Sequence, residues 1–327
     1  MKGRKHNMLS RVADSLYWIG QNMERADSMA KLLSVRLVSI LENHDPKMGT
    51  EHDWEEVIEI IGNKVEYSQQ YSAYDRESVI QYIVFSRENN NSIYSCITIA
   101  RENARMIREV IPVELWEVIN SLYFKVREFC STTVQTNHLN TFLQNIHENY
   151  FLFQGIISGL MPRGDGYLFL VFGKYLEVIR KLAKTLDVYY HKNFEERANI
   201  DDIKYHYWSA VLSSLSGYES YIQKYQALMD PEKIITYLLF DDSLPRSAKY
   251  GVQQLVSAFQ ALEKGKVHSY SQNLYNNLQN LQEEVKYQSL ENLPISLHEY
   301  FQNIQRLCDS VGSSIMETYY LGEISQT

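Results

Sequence analysis

Proline and glycine are scarce in this chain, at 6 and 14 of 327 residues. So few breakers leave room for long helices and little for the many tight turns of a β architecture. Cysteine is scarcer still. Cys96, Cys130 and Cys308 are odd in number, widely spaced and form no CxxC pair, so they give neither a disulfide framework nor a cysteine zinc site and fit a reducing compartment. No apolar run approaches the roughly 18 residues of a membrane span. The start, Met1 to Asn7, is basic but leads into an amphipathic helix and not into a secretory core. The expectation is a cytoplasmic protein without a membrane segment. Basic charge is in deficit too: a net charge of −8 and a pI near 5.7 argue against nucleic acid as a partner, yet leave room for a local cationic pocket. Catalytic signatures are missing, with no HExxH, GxSxG, Walker-type loop or GxGxxG. His44-Asp45 and His52-Asp53 stand without a second ligand cluster, so neither a metal nor a cofactor is expected.

What the chain does have is a repeat of itself. Gly20-Gln21-Asn22-Met23-Glu24 answers Gly173-Lys174-Tyr175-Leu176-Glu177, and Ala30-Lys31-Leu32-Leu33-Ser34-Val35 answers Ala183-Lys184-Thr185-Leu186-Asp187-Val188, both 153 positions on. Trp54, Val57, Tyr67 and Tyr71 meet Trp208, Val211, Tyr221 and Tyr225 at 154, and Glu77, Tyr82, Phe85 and Ser92 meet Glu232, Tyr237, Phe240 and Ser247 at 155. A period of half the chain with so little drift indicates an ancestral duplication. The 25 tyrosines fall largely where a helix would be half buried, with the ring inside and the hydroxyl at the rim.

Periodicity assigns the elements. From Leu9 to Leu41 two apolar rows recur by sevens, which predicts one helix about 50 Å long at about 1.5 Å per residue. Helices follow from Asp53, from Asp75 to Phe85, through Ile93, Ile97, Ala100, Ala104, Ile107 and Ile111, after Pro112, and from Leu139 to Ile157. The polar stretch Ser86 to Asn91 reads as a loop with capping residues. Gly159 to Gly166 is the clearest breaker cluster. The order then repeats: Tyr167 to His191, Asp202 to Leu228, Pro231 to Phe240, Ala248 to Leu262, Ser269 to Tyr287 and Leu297 to Tyr320. No period-two alternation is sustained. The expected fold is all-α: an elongated helical bundle of two duplicated halves of about six helices each. A basic extension (1–7) precedes halves 8–160 and 161–327, which share one continuous core.

Charged side chains recur at helical spacing. Arg11, Trp18, Arg25 and Leu32 form one row of the first helix and Tyr17, Glu24 and Lys31 the next, flanking the apolar seam where a long side chain buries its stem and offers its head group to a cleft. Arg101, Arg105 and Arg108 share one side of a later helix. Such like charges repel unless Glu102 and Glu109 pair with them, or unless a bound carboxylate or phosphate does. Arg246 begins another helix behind Asp241, Asp242 and Ser243, as an anion holder or as part of a cap. For each array, structural pairing and ligand binding are both open.

Met8-Leu9-Ser10-Arg11-Val12-Ala13-Asp14-Ser15-Leu16-Tyr17-Trp18-Ile19-Gly20 with Met23-Glu24-Arg25-Ala26 resembles the opening of the alpha-E family, bacterial helical proteins with a Glu-Arg motif. Ala100-Arg101-Glu102-Asn103-Ala104-Arg105 with Ile107-Arg108-Glu109 and Glu114-Leu115-Trp116-Glu117 resembles its central block, and Phe240-Asp241 with Pro245-Arg246-Ser247 a third. The resemblance implies an accessory component beside circularly permuted ATP-grasp proteins and transglutaminase-like peptidases, in the making or processing of amide bonds on peptides. Docking of the ligase, or the holding of an acidic peptide or carboxylate ligand, is the role expected from that context, with Arg11, Glu24, Arg25, Arg101, Glu102, Arg105 and Arg246 of the charged arrays as the candidate ligand-binding residues. Two other functions stay open. One is an enzyme using Glu24 or Glu102 as general acid or base; the other is a purely structural scaffold. Two departures from the family pattern stand out: Val178 follows Glu177 where the motif would repeat an arginine, and Ser86-Arg87-Glu88-Asn89 replaces an Asp-Pro-like loop start. An asymmetric site is therefore expected, in the first half around Glu24, Arg25, Arg101, Glu102 and Arg105.

Overall fold

The computed structural model describes residues 10–42, 51–61, 64–130, 136–196, 201–226 and 228–319; the basic extension at 1–7, His44, Asp45 and the side chain of His52 lie outside them. Among the described residues there are fourteen α-helices and no strand. They are α1 (Ser10–Glu42), α2 (Glu51–Ile61), α3 (Lys64–Gln70), α4 (Arg76–Ile80, continuing as a π turn over Gln81–Phe85), α5 (Ile93–Met106), α6 (Val113–Phe129) and α7 (Thr136–Leu160). Then follow α8 (Asp165–Glu196), α9 (Asp201–Ser214), α10 (Tyr218–Tyr225), α11 (Pro231–Phe240), α12 (Ala248–Leu262), α13 (Gln272–Glu284) and α14 (Leu297–Tyr319). No helix among the described residues is long and apolar enough to cross a membrane.

The heptad rows of α1 are its buried face: Leu16, Met23, Ala30 and Leu37 with Ile19, Ala26 and Leu33 are all inside. The same holds on α5 for Ile93, Ile97, Ala100 and Ala104, the i, i+4, i+7 stripe of an amphipathic helix. Buried apolar residues from Ala13 to Tyr319 join in one cluster. Among the described residues seven α-helices lie on each side of Met161. The stretch expected as one helix from Asp202 to Leu228 breaks at Ser216, whose left-handed φ of 58° follows the end of α9. The cap of α5 is Ser92, just past the polar loop, whose hydroxyl accepts from the Ser95 amide. Arg163 closes the C-terminus of α7, donating to the carbonyls of Ile157 and Ser158 at 3.3 and 2.9 Å. The tyrosines behave as packing residues: Tyr67 stacks with Tyr71 and Tyr74 and donates to the Ala73 carbonyl, and Tyr221 sits beside Tyr225 and Tyr237 and donates to the Leu228 carbonyl.

The centre of the body is the crossing of α1 and α8. A Cβ on Gly20 would stand 2.5 Å from the Leu170 carbonyl oxygen, and one on Gly173 would stand 2.0 Å from that of Tyr17. Those contacts are reciprocal: 20 and 173, like 17 and 170, lie 153 positions apart. Backbone touches backbone there, and neither carbonyl is the end of a flexible side chain that could move aside. Gly173→Ala should therefore destabilise by on the order of 3 kcal/mol. Gly155→Ala, on α7 where nothing lies within 4 Å, should stabilise by roughly 0.5 to 1 kcal/mol through helix propensity. Urea denaturation of both variants checks this, and equal stability of the two would contradict the crossing.

Candidate functional site

Glu24 and Arg25 are adjacent on α1, so their side chains leave the helix about 100° apart. They enter different places. Glu24 is fully buried; its carboxylate accepts from Arg246 Nη1 at 2.6 Å, from Ser28 Oγ at 3.1 Å and from the Tyr150 hydroxyl in a short contact. Asp27, one turn on and also buried, takes Arg246 Nη2 at 3.2 Å and lies 2.5 Å from His147 Nδ1. Burial foremost, and then the charge of Glu24, push the Tyr150 phenol well up, so it stays a proton donor to that carboxylate. Little space is left here: the crevice between Ser28, Val178, Lys181 and Arg246 holds about 20 Å³. Arg246 is delivered by its loop. Asp241 accepts from the amides of Ser243 and Leu244, and Ser247 caps α12 by accepting from the Tyr250 amide.

Arg25 meets α8 instead. Its Nε and Nη2 grip both oxygens of Glu177 at 2.8 and 2.7 Å, and its Nη1 donates to Asn91 Oδ1 at 2.6 Å. Burial alone would raise the Glu177 carboxyl, but Arg25, then Arg180 and Lys181, outweigh it and hold it below the usual carboxylate range. Asn91 and Arg246 occupy the same station of their loops, 155 positions apart. At one site the loop supplies the guanidinium; at the other it braces a guanidinium supplied by the helix. Position 178 therefore needs no arginine, because Arg246 meets Glu24.

The Arg25 side opens into a cavity of about 310 Å³, reached by Arg25, Asn91, Glu177, Arg180, Lys181 and Lys184, with Gln305 and Asp309 of α14 at its edge. Four cations face two carboxylates. Arg180 Nη2 pairs with Asp309 at 2.9 Å and its Nη1 is 3.6 Å from Glu177, while its buried Nε has no hydrogen-bond partner. Lys181 lies 3.4 Å from the Ile60 carbonyl. Burial, with Arg25 and Lys184 adding to it against Glu177, brings its ammonium down to about 8. This is an electropositive pocket in an acidic protein, fitted to a carboxylate or phosphate.

The residues expected to form one site are divided. Glu24 and Arg246 meet; Arg25 belongs to the larger cavity. Arg101 turns from α1 toward α6, donating to Asn120 Oδ1 at 2.9 Å and Glu102 Oε1 at 2.5 Å and lying over the Tyr123 ring at 4.6 Å. Glu102 also takes Arg105, and despite some burial the two arginines hold its carboxyl low. A charged, half-exposed carboxylate is a poor general acid. Arg11 is exposed at the start of α1. Arg101 and Glu24 are not brought together: Arg101 contacts Asn120 and Tyr123 of α6, whereas Glu24 contacts Tyr150 of α7 and Arg246. Sequence reasoning missed Glu177, Arg180, Lys181 and Lys184, although a signal was there: Asp27 and Ser28 become Arg180 and Lys181 at the 153 offset. Tyr150, His147 and Asp309 come from distant helices and left no such signal.

A family model described as Alpha-E, "a predicted alpha-helical domain with a conserved ER motif", matches residues 8–320. The chain belongs to the Alpha-E family. No curated protein and no solved structure matches it. The Glu-Arg pair of this Alpha-E chain is thus a divergence point, with each residue anchoring one side of the α1–α8 crossing. Among the described residues no group of three or more His, Cys, Asp or Glu is placed to hold a metal ion.

Glu24→Gln leaves Arg246 short of a buried counter-charge and should cost about 3 to 5 kcal/mol. Arg105→Gln breaks only a surface pair and should cost less than about 1 kcal/mol. Equilibrium unfolding of the two variants measures the difference. Glu177 adds an acid signature: with its folded pKa depressed, its contribution is full above the unfolded carboxyl range and is lost as pH falls through the folded value. The acid-unfolding curve of Glu177→Gln should therefore be shallower than that of the parent.

Proposed function

We propose that this Alpha-E chain is a non-catalytic helical accessory protein that holds a carboxylate-bearing ligand, such as the acidic end of a peptide, for an ATP-grasp amide ligase. The observation that carries the reading is the 310 Å³ cavity with Arg25, Arg180, Lys181 and Lys184 on its wall. Guanidinium and ammonium groups that are partly desolvated bind carboxylates more strongly than the same groups in water. The ligase association rests on the family resemblance, and a transglutaminase-like peptidase belongs to the same proposed system. The duplicated-half reading belongs to this proposal too, supported by the reciprocal Gly20 and Gly173 contacts and by the equivalent loop stations of Asn91 and Arg246. One half's site is closed by Tyr150, and the other is left open for a ligand.

Catalysis by Glu24 or Glu102 has less support. Glu24 is sealed among Arg246, Tyr150 and Ser28, and Glu102 is held charged by two arginines on another surface.

Calorimetric titration with a short peptide ending in glutamate should show saturable binding that Arg180→Gln weakens by about tenfold, or roughly 1.4 kcal/mol. Binding should also weaken as pH rises through about 8, where Lys181 loses its proton among Arg25, Glu177, Lys184 and Cys96. Constant affinity from pH 7 to 9 contradicts the role of Lys181. Co-expression with the cognate ligase followed by size-exclusion chromatography tests the partner. A shared peak at micromolar concentration is expected, and separate elution of two folded proteins counts against docking.

A further inference from the structure

The charges around the cavity do not cancel evenly. Arg25 is matched by Glu177 through two hydrogen bonds, and Arg180 by Asp309 at 2.9 Å. Lys181 and Lys184 are left over. Among the described residues neither has a carboxylate within ion-pair distance, and both face the same cavity. They are three positions apart on α8, so their Cβ atoms are about 5 to 6 Å apart on one helix face.

The corresponding stations of α1 are balanced. Ser28 stands where α8 has Lys181, and Lys31, the counterpart of Lys184, donates to Ser216 Oγ at 2.6 Å. Asp27 stands where α8 has Arg180 and is occupied by Arg246 and His147. On α1 the charges close on one another and about 20 Å³ remains; on α8 two cations and about 310 Å³ remain. Arg180 lines the same space, its guanidinium held by Asp309. Two like charges at this spacing destabilise the helix unless an anion spans them.

We infer that the open cavity is a dianion site, in which one ligand carrying two negative charges bridges Lys181 and Lys184. This rests on the carboxylate-holding reading above and narrows it. The ligand is a dicarboxylate, such as a terminal glutamate with its α- and γ-carboxylates, or a phosphate monoester. The two sources share their charge and differ in how it is spread. A dicarboxylate reaches both ammonium groups at once, whereas a phosphate places both charges on one centre. A ligand with a single charge leaves one lysine uncompensated and gains correspondingly less.

The test is a calorimetric comparison of glutarate, butyrate and inorganic phosphate on the full chain, with Lys184→Gln alongside and its fold checked by circular dichroism. Glutarate is expected to bind at least about tenfold more tightly than butyrate, and Lys184→Gln should bring the two together. Phosphate binding as tightly as glutarate, with the same loss in Lys184→Gln, also supports the dianion site and points to a phosphate monoester. Glutarate and butyrate binding the parent equally overturns the dianion site but leaves the carboxylate-holding function standing. Failure of all three to bind overturns both.

Discussion

Everything in this molecule depends on how closely α1 and α8 approach. Two glycines without Cβ atoms let backbone meet backbone at Gly20 and Gly173, and that draws Glu24 and Glu177, a little over one turn further along each helix, into the interior. A buried carboxylate is tolerated only when a hydrogen-bonded cation accompanies it. The crossing therefore imposes a requirement for two guanidinium groups. The chain meets it in two ways, with Arg246 from a capped loop on one side and Arg25 from α1 itself on the other.

Unequal solutions to that requirement separate structure from site. Around Glu24 the carboxylates, Arg246, Tyr150 and His147 complete one another, and the space closes. Around Glu177 the pairing is also complete, but α8 carries Arg180, Lys181 and Lys184 where α1 carries Asp27, Ser28 and Lys31. That leaves surplus positive charge beside an open volume. In a protein of net charge −8, Lys181 and Lys184 face one cavity with no carboxylate within ion-pair distance among the described residues, and their repulsion and desolvation are a cost to the fold. The lowered ammonium of Lys181 is the same cost expressed as a protonation equilibrium.

Much of the fold was legible in the residues. Leu16, Met23 and Ala30 at sevens, Ile93, Ile97 and Ala100 on α5, and the Pro112 and Pro231 starts all report local periodicity and helix-end chemistry, which depend on neighbours in sequence. The left-handed turn at Ser216 was not legible. Nothing about a serine demands positive φ; packing of the following Gly217 against Leu238 and Leu212 accompanies it. Of the candidate site, Arg25 and Arg246 stand out in the sequence, but the partners their sequence neighbourhood suggests are not the ones they meet, which are Glu177 and Glu24. Glu24 and Arg25 look like a unit in the chain and diverge in space because of the helix turn.

By itself, then, the sequence determined an all-α body, the positions of its long helices, a glycine at each of two stations 153 residues apart, and membership of a family marked by a Glu-Arg pair. Those properties follow from spacing and residue type. The tertiary structure alone decided which carboxylate meets which arginine, and which of two related places is filled. Both depend on the angle between packed helices and on side chains such as Tyr150 and Asp309 that arrive from α7 and α14, more than a hundred positions from the groups they contact.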